Sequence, residues 1–187
     1  MTKRIILAVS GSISAYKSAD LTSKLKKKGY DIHVIMTEAA QAFITPLTLQ
    51  VLSKNPVHTD VMEEKLAERI NHIDLAKKTD LFIVAPASAN TIAKLAHGMA
   101  DNMLTATALA LPSTTPKLIA PAMNTKMYEN PLTKKNLETL QEVGYQKILP
   151  KSGLLACGDT GRGALADIAV IIDSIDSALT RKGVYDE

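Results

Sequence analysis

Two residues stand out for their reactivity. Cys157 is the only cysteine of the chain and lies in Ala-Cys-Gly-Asp-Thr-Gly-Arg-Gly. A lone cysteine is usually a small core residue, but a glycine-rich surround is a poor place to bury a thiol and suits a mobile flap. A single cysteine also excludes an intramolecular disulfide and a cysteine-built zinc site, and it suits a reducing compartment. His72 follows Asn71 where a helix is expected to start. It reads there either as surface decoration or as a base, since the positive end of a helix dipole favours the neutral ring. His33, His58 and His97 fall mid-strand, in an unpatterned stretch and at a helix end, positions that suit structural or solvated roles. No second histidine at metal-ligand spacing and no carboxylate cluster accompanies His72, so no metal site is expected.

Small polar residues and special backbones gather in four other places: Ser10-Gly11-Ser12, Thr37, Pro86-Ala87-Ser88-Ala89-Asn90-Thr91 and Pro121-Ala122-Met123-Asn124. Each follows a short apolar run. The first precedes a helix, so it fits a phosphate seat or a plain tight turn equally well. Gly11 lacks the further glycines of a dinucleotide fingerprint, and no Gly-Lys-Ser/Thr follows to make a nucleotide P-loop. Ser14-Ala15-Tyr16-Lys17 has the spacing of an acyl-serine enzyme. Its companion motifs are missing and it falls inside the first helix, so it is set aside.

Positioning these segments requires alternating strands and helices. Strands are expected at Ile5 to Val9, Asp31 to Met36, Leu81 to Ala85 (halted by Pro86), Lys117 to Ala120 and Gln146 to Leu149. Helices are expected from after Ser12 to Lys28, from Thr37, and from Pro46 to about Ser53. Further ones should run over Ser88 to His97, Asn102 to Leu111, Pro131 to Val143 and Ala166 to Thr180. Asn71 is expected to cap a short helix, with Asp74 at box-like spacing. Residues 54–70 read as a surface loop with a short helix. Pro150 to Gly163, with four glycines and no periodicity, reads as a long loop. Lys26-Lys27-Lys28 complements a helix end. This alternation predicts a three-layer, doubly wound α/β domain of the Rossmann or flavodoxin-like kind, with a mostly parallel sheet. Ligands bind such sheets beyond the carboxyl ends of the strands, which is where the four polar segments should lie.

Composition narrows the function classes. The 187 residues are 46% hydrophobic and carry a net charge of +3, enough for one sizeable domain with a core. So small a positive excess, with two Phe, five Tyr and no Trp, argues against nucleic-acid binding. The apolar run after Met1-Thr2-Lys3-Arg4 stops at Val9, too short for a signal core or a membrane span. A cytoplasmic protein acting on a small molecule, with no membrane partner, is the expectation.

Taken in order, Gly11-Ser12-Ile13-Ser14-Ala15-Tyr16-Lys17, Asn71-His72-Ile73-Asp74-Leu75-Ala76, Pro86 to Thr91, Pro121-Ala122-Met123-Asn124-Thr125-Lys126-Met127 and Ala156-Cys157-Gly158-Asp159 resemble the flavin-dependent cysteine decarboxylases. The resemblance runs from about residue 4 to residue 175. One departure is Tyr128, where the family often has Trp. The resemblance implies FMN at the strand ends, at subunit contacts of a homo-oligomer (a trimer or a dodecamer of trimers). It places the cofactor phosphate on Gly11, Ser12 and Ile13, with Thr37 and Ser88 as hydroxyl donors and Ala87, Ala89 and Asn90 completing the cofactor site. It implies as substrate 4′-phospho-N-pantothenoylcysteine, whose side chain is oxidised to a thioaldehyde, loses carbon dioxide to give an enethiolate, and is reduced again. His72 would then be the base or an orienting partner, and Asn124 would hold the substrate carboxylate. Met123, Ala122 and Asn90 would shape the substrate pocket, and Cys157 would donate the returning proton. A peptidyl-cysteine decarboxylase that stops at the enethiol would not need that donor, so Cys157 favours the complete, redox-neutral reaction. A flavin-binding regulatory subunit is a further alternative, but relatives of that kind tend to carry long acidic extensions, and only Tyr185-Asp186-Glu187 stands at this end. Bacterial relatives often carry a fused phosphopantothenoylcysteine synthetase domain. Because 187 residues cannot hold both, residues 1–187 are expected to be a single decarboxylase domain.

Overall fold

The computed structural model describes residues 2–63, 70–154, 158 and 160–182. The chain begins with β1 (Arg4–Val9), a 3₁₀ turn (Ile13–Tyr16) and α1 (Lys17–Lys27), followed by β2 (Asp31–Met36) and the short α2 (Glu38–Gln41). It continues through α3 (Pro46–Ser53), β3 (Val57–His58), α4 (Asn71–Lys78), β4 (Leu81–Ala87), α5 (Ala89–Ala96) and α6 (Met103–Leu109). The rest comprises β5 (Lys117–Pro121), α7 (Thr125–Glu129), α8 (Pro131–Glu142), β6 (Tyr145–Lys147), β7 (Lys151–Leu154), β8 (Thr160–Ala164) and α9 (Ile168–Lys182).

Six strands form a parallel sheet in the order β3-β2-β1-β4-β5-β6. The chain winds outward in one direction from β1 and in the other from β4, so the switch in strand order falls between those two. Strand residues point alternately to the two faces. Ile5, Leu7 and Val9 pack with Leu21, Leu25, Leu49, Ile171 and Ile175, from α1, α3 and α9. Ile6, Ala8, Phe82 and Val84 pack with Leu75, Ile92, Leu104, Leu137 and Leu140 on the opposite face. Burying each of the larger of these side chains fully stabilises the fold by about 1.5–3 kcal/mol. This three-layer arrangement agrees with the sequence reading.

Four local expectations are corrected. β4 does not stop at Ala85 but continues through Pro86 to Ala87. Proline cannot donate to a ladder, and the pairing with β5 shifts register between Val84 and Ala87, which accommodates it. The expected loop from Pro150 to Gly163 instead holds β7 and all but the last residue of β8, an antiparallel pair held by backbone pairing that needs no side-chain alternation. Asn71 is the first residue of α4 rather than its cap; Ile70 takes the cap position, and Asn71 Nδ2 donates to Glu63 O at 2.7 Å. The last strand of the main sheet is Tyr145–Lys147, not Gln146 to Leu149.

Candidate active site

Beyond the carboxyl ends of β1, β4 and β5 lies a cavity of about 430 Å³. Its first wall is Gly11 to Ser14 with Tyr16 and Lys17, and its second is Ser88 with Ala89. Ala122 to Asn124 with Met127 form the third, and Gly163 and Ala164 of β8 the fourth.

Helix capping explains why these walls carry serine and asparagine. Ser12, in extended conformation, accepts a hydrogen bond from Ser14 N at 3.3 Å and starts the 3₁₀ turn that leads into α1. Ser88 accepts from Thr91 N at 3.2 Å and starts α5. Asn124 Oδ1 accepts from Lys126 N at 2.8 Å and starts α7, which fixes its side-chain orientation. Amides at the start of a helix have no acceptor inside the helix, so such caps make the wall a donor surface suited to an anion.

Close backbone approach accounts for the glycines. A Cβ on Gly11 would lie 2.6 Å from Ala39 Cβ, so no side chain fits between the loops after β1 and β2. A Cβ on Gly163 would lie 2.3 Å from Met123 O, and one on Gly161 2.5 Å from Thr125 Oγ1. Met123 N donates to Gly163 O at 2.9 Å, which docks β8 across the third wall.

The structure brings Gly11, Ser12, Ile13, Ser88, Ala89, Ala122, Met123 and Asn124 onto one cavity. The other sequence candidates lie off its wall. Thr37 caps α2 through a bond from Ala40 N to its Oγ1 at 3.3 Å, two residues before the Ala39 that presses on Gly11. Ala87 is fully buried, and its carbonyl accepts from Ala122 N at 3.0 Å. Asn90 is exposed on α5. His72 is half-buried on α4, and its Nδ1 is buried without a hydrogen-bond partner among the described residues. Cys157 lies outside the described residues, between β7 and β8 in the sequence.

Sequence reasoning missed several wall residues. Ser14, Tyr16 and Lys17, in the first segment that carries the resemblance but with no role read for them there, line the cavity, as do Gly163, at the end of the expected loop, and Ala164 just after it. Tyr128 is buried in the core on the Phe82 face, and burial pushes its phenol up against the lowering influence of Arg162. An aromatic residue at that position fills core rather than cavity.

The cavity fits a flavin. Its volume falls within the roughly 300–1,000 Å³ usual for ligand pockets, two capped helix starts face it, and small residues let a flat ring approach the backbone. A doubly wound fold with such a crevice at its switch point is the arrangement that nucleotide- and flavin-binding proteins use. The chain matches the Flavoprotein family over residues 1–180. It belongs to that family, among the flavin-dependent decarboxylases. It is 63% identical over 179 residues, 96% of this chain and all of the relative, to the probable phosphopantothenoylcysteine decarboxylase of Streptococcus mutans. It is 50% identical to the coenzyme A biosynthesis bifunctional protein CoaBC of Bacillus subtilis, over 88% of this chain but only 40% of that protein. A PPC decarboxylase mutant complexed with pantothenoylaminoethenethiol superposes with a TM-score of 0.87 at 34% identity, covering 95% of this chain and 98% of that one. The FMN-dependent cysteine decarboxylase SpaF gives 0.84 at 32%, covering 97% of each.

Proposed function

We propose that the protein is a carboxy-lyase that converts 4′-phospho-N-pantothenoylcysteine to 4′-phosphopantetheine with FMN as cofactor, without net oxidation. The observation that carries this reading is the cavity where the Gly11–Ser14 turn, Ser88–Ala89 and Ala122–Asn124 meet under β8. A bound flavin supplies reversible two-electron chemistry that turns the cysteine side chain into an electron sink for decarboxylation.

The protein's own residues bind, orient and move protons. The Gly11–Ile13 turn seats the cofactor phosphate at a helix start, which suits a mononucleotide flavin. The Ser12 oxygen already accepts from Ser14 N, leaving its proton for an acceptor on the ligand, whereas the Ser88 hydroxyl accepts from Thr91 N and donates to Thr91 Oγ1, which fixes the start of α5. Ala87, Asn90 and Thr37 support this site from behind or beside the wall. Asn124, held by its cap, presents its amide to the substrate carboxylate, with Ala122 and Met123 shaping the adjoining surface. Cys157, carried between β7 and β8, returns the proton to carbon. His72 acts as the base or orienting group. Because it lies off the wall of its own cavity, it serves the cavity of a neighbouring copy in a homo-oligomer, a trimer or a dodecamer of trimers. The protein works in the cytoplasm on a small molecule.

The test is direct. Purified protein should release FMN on denaturation, identified by mass. Incubation with 4′-phospho-N-pantothenoylcysteine should give a product lighter by about 44 mass units, the mass of carbon dioxide. A product lighter by about two more would assign the oxidative, enethiol-forming reaction instead. Flavin binding without any product would point to the regulatory subunit.

A further inference from the structure

The residue that joins the two central walls of the cavity is not on either wall. Ser10 is fully buried at the end of β1, where the strand order reverses. Its Oγ donates to Pro86 O at 2.8 Å and accepts from Ser88 N at 2.8 Å, while its own amide donates to Pro86 O at 3.2 Å. Pro86 lies in the register shift of β4, and Ser88 caps α5. One hydroxyl thus ties the Gly11–Ser14 wall to the Ser88–Ala89 wall, each of which starts a helix facing the cavity.

We propose that Ser10 is a positioning residue for flavin binding, whose hydroxyl sets the distance between these two walls. The proposal rests on the reading of the cavity as the flavin seat. Without the hydroxyl, Ser88 N loses its acceptor and Pro86 O one of its donors, inside the protein. The crevice then relaxes to solvate them, and flavin has to draw it closed again. A cost of this kind falls on ligand affinity as well as on folding.

The experiment measures flavin affinity of reconstituted apoprotein by fluorescence, with the thermal midpoint as a second reading. Ser10→Ala should weaken flavin binding by about 10-fold or more and shift the bound-flavin absorption bands. Ser10→Thr, which keeps a hydroxyl, should recover affinity. Ile175→Val, in the distant α9 core, should lower the midpoint and leave flavin affinity unchanged. Wild-type affinity in Ser10→Ala, equal weakening in Ile175→Val, or Ser10→Thr as weak as Ser10→Ala would each overturn the proposal. If Ser10→Ala does not fold, Ser10→Cys, of similar size but a poorer hydrogen-bonding group, is held to the same criterion. Ala89→Phe, which fills the cavity, separates the two levels. Unchanged flavin binding there refutes the seat itself, whereas lost binding with an unaffected Ser10→Ala refutes only the role of Ser10.

Discussion

The two edges of the sheet are both hollow and both polar, yet they are built differently. At the amino edge, an open hollow of about 720 Å³ lies among Arg4, Tyr30, Asp31 and Asp80, larger than the cavity at the carboxyl edge. Arg4, Asp31, Lys78 and Asp80 of its lining are all engaged in ion pairs. Arg4 Nε and His33 Nε2 each lie 3.0 Å from Asp31 Oδ2, and Asn55 Nδ2 donates to Oδ1 at 2.9 Å. Partial burial alone would raise the Asp31 carboxyl, but hydrogen bonds from Asn55 and His33, the His33 charge and Arg4 together hold it down at about 2. Tyr30 donates to Asp176 at 2.6 Å, and burial together with that carboxylate pushes its phenol up to about 12. The carboxyl edge instead carries neutral caps, helix starts and small residues, so its polar groups face a ligand-sized space. Volume alone favours the amino edge, whereas the lining of the carboxyl edge is the one that suits the proposed ligand.

Substitutions of the proposed reacting groups and of the carboxyl edge should therefore change chemistry first. The largest effect is expected for Cys157→Ser: turnover to the final product falls by about 10²–10⁴-fold, while a product two mass units lighter accumulates on the enzyme, read by mass spectrometry. Accumulation of the full product at the normal rate would remove Cys157 from the reaction. His72→Asn should keep yellow bound flavin and lose about 10²–10³-fold in carbon dioxide release. Unchanged release would reduce His72 to surface decoration. Next comes Gly163→Ala, whose methyl has no room against Met123 O. It should destabilise the fold by about 1–3 kcal/mol and loosen β8 over the third wall, seen as a lower thermal midpoint together with weaker substrate saturation. A substitution at the amino edge should do the reverse. Asp31→Asn should leave flavin affinity and turnover alone and cost about 1 kcal/mol at neutral pH, allowing for solvent screening of a partly exposed group. A carboxyl held down in the folded state contributes fully above its unfolded value near 3.8 and loses that contribution as pH falls towards about 2. Denaturation midpoints of variant and wild type should thus converge between those two pH values. A gap that stays constant with pH would show that ionisation of Asp31 is not its source.

The same contrast explains what the sequence made legible. Strands such as Asp31–Met36 and helices such as Pro46–Ser53 are visible because burial on a strand and a proline at a helix start are local signals. The four polar segments identify strand ends because caps are short-range chemistry. Long-range pairing was not visible. Pro86 reads as a stop until β5 supplies a shifted register around it, and the glycines of β7–β8 look like a loop until Met123 and Thr125 show why a side chain is excluded. Ser10 reads in the sequence only as part of a phosphate seat or tight turn, and nothing local shows what its hydroxyl holds. Its two partners lie 76 and 78 positions away in the chain.

Gly11 and Ala39 also bear on how sequences of this kind diverge. A methyl on Gly11 would lie 2.6 Å from Ala39 Cβ, but 3.3 Å or more from the Ala39 backbone. Gly11→Ala is therefore opposed while Ala39 stands, and Ala39→Gly removes the closest contact and leaves only tight backbone ones. The order of events matters: one path crosses a disabled intermediate and the other does not. In a library that varies both positions, alanine at 11 should survive selection almost solely beside glycine at 39. The two loops would then drift as one inherited unit.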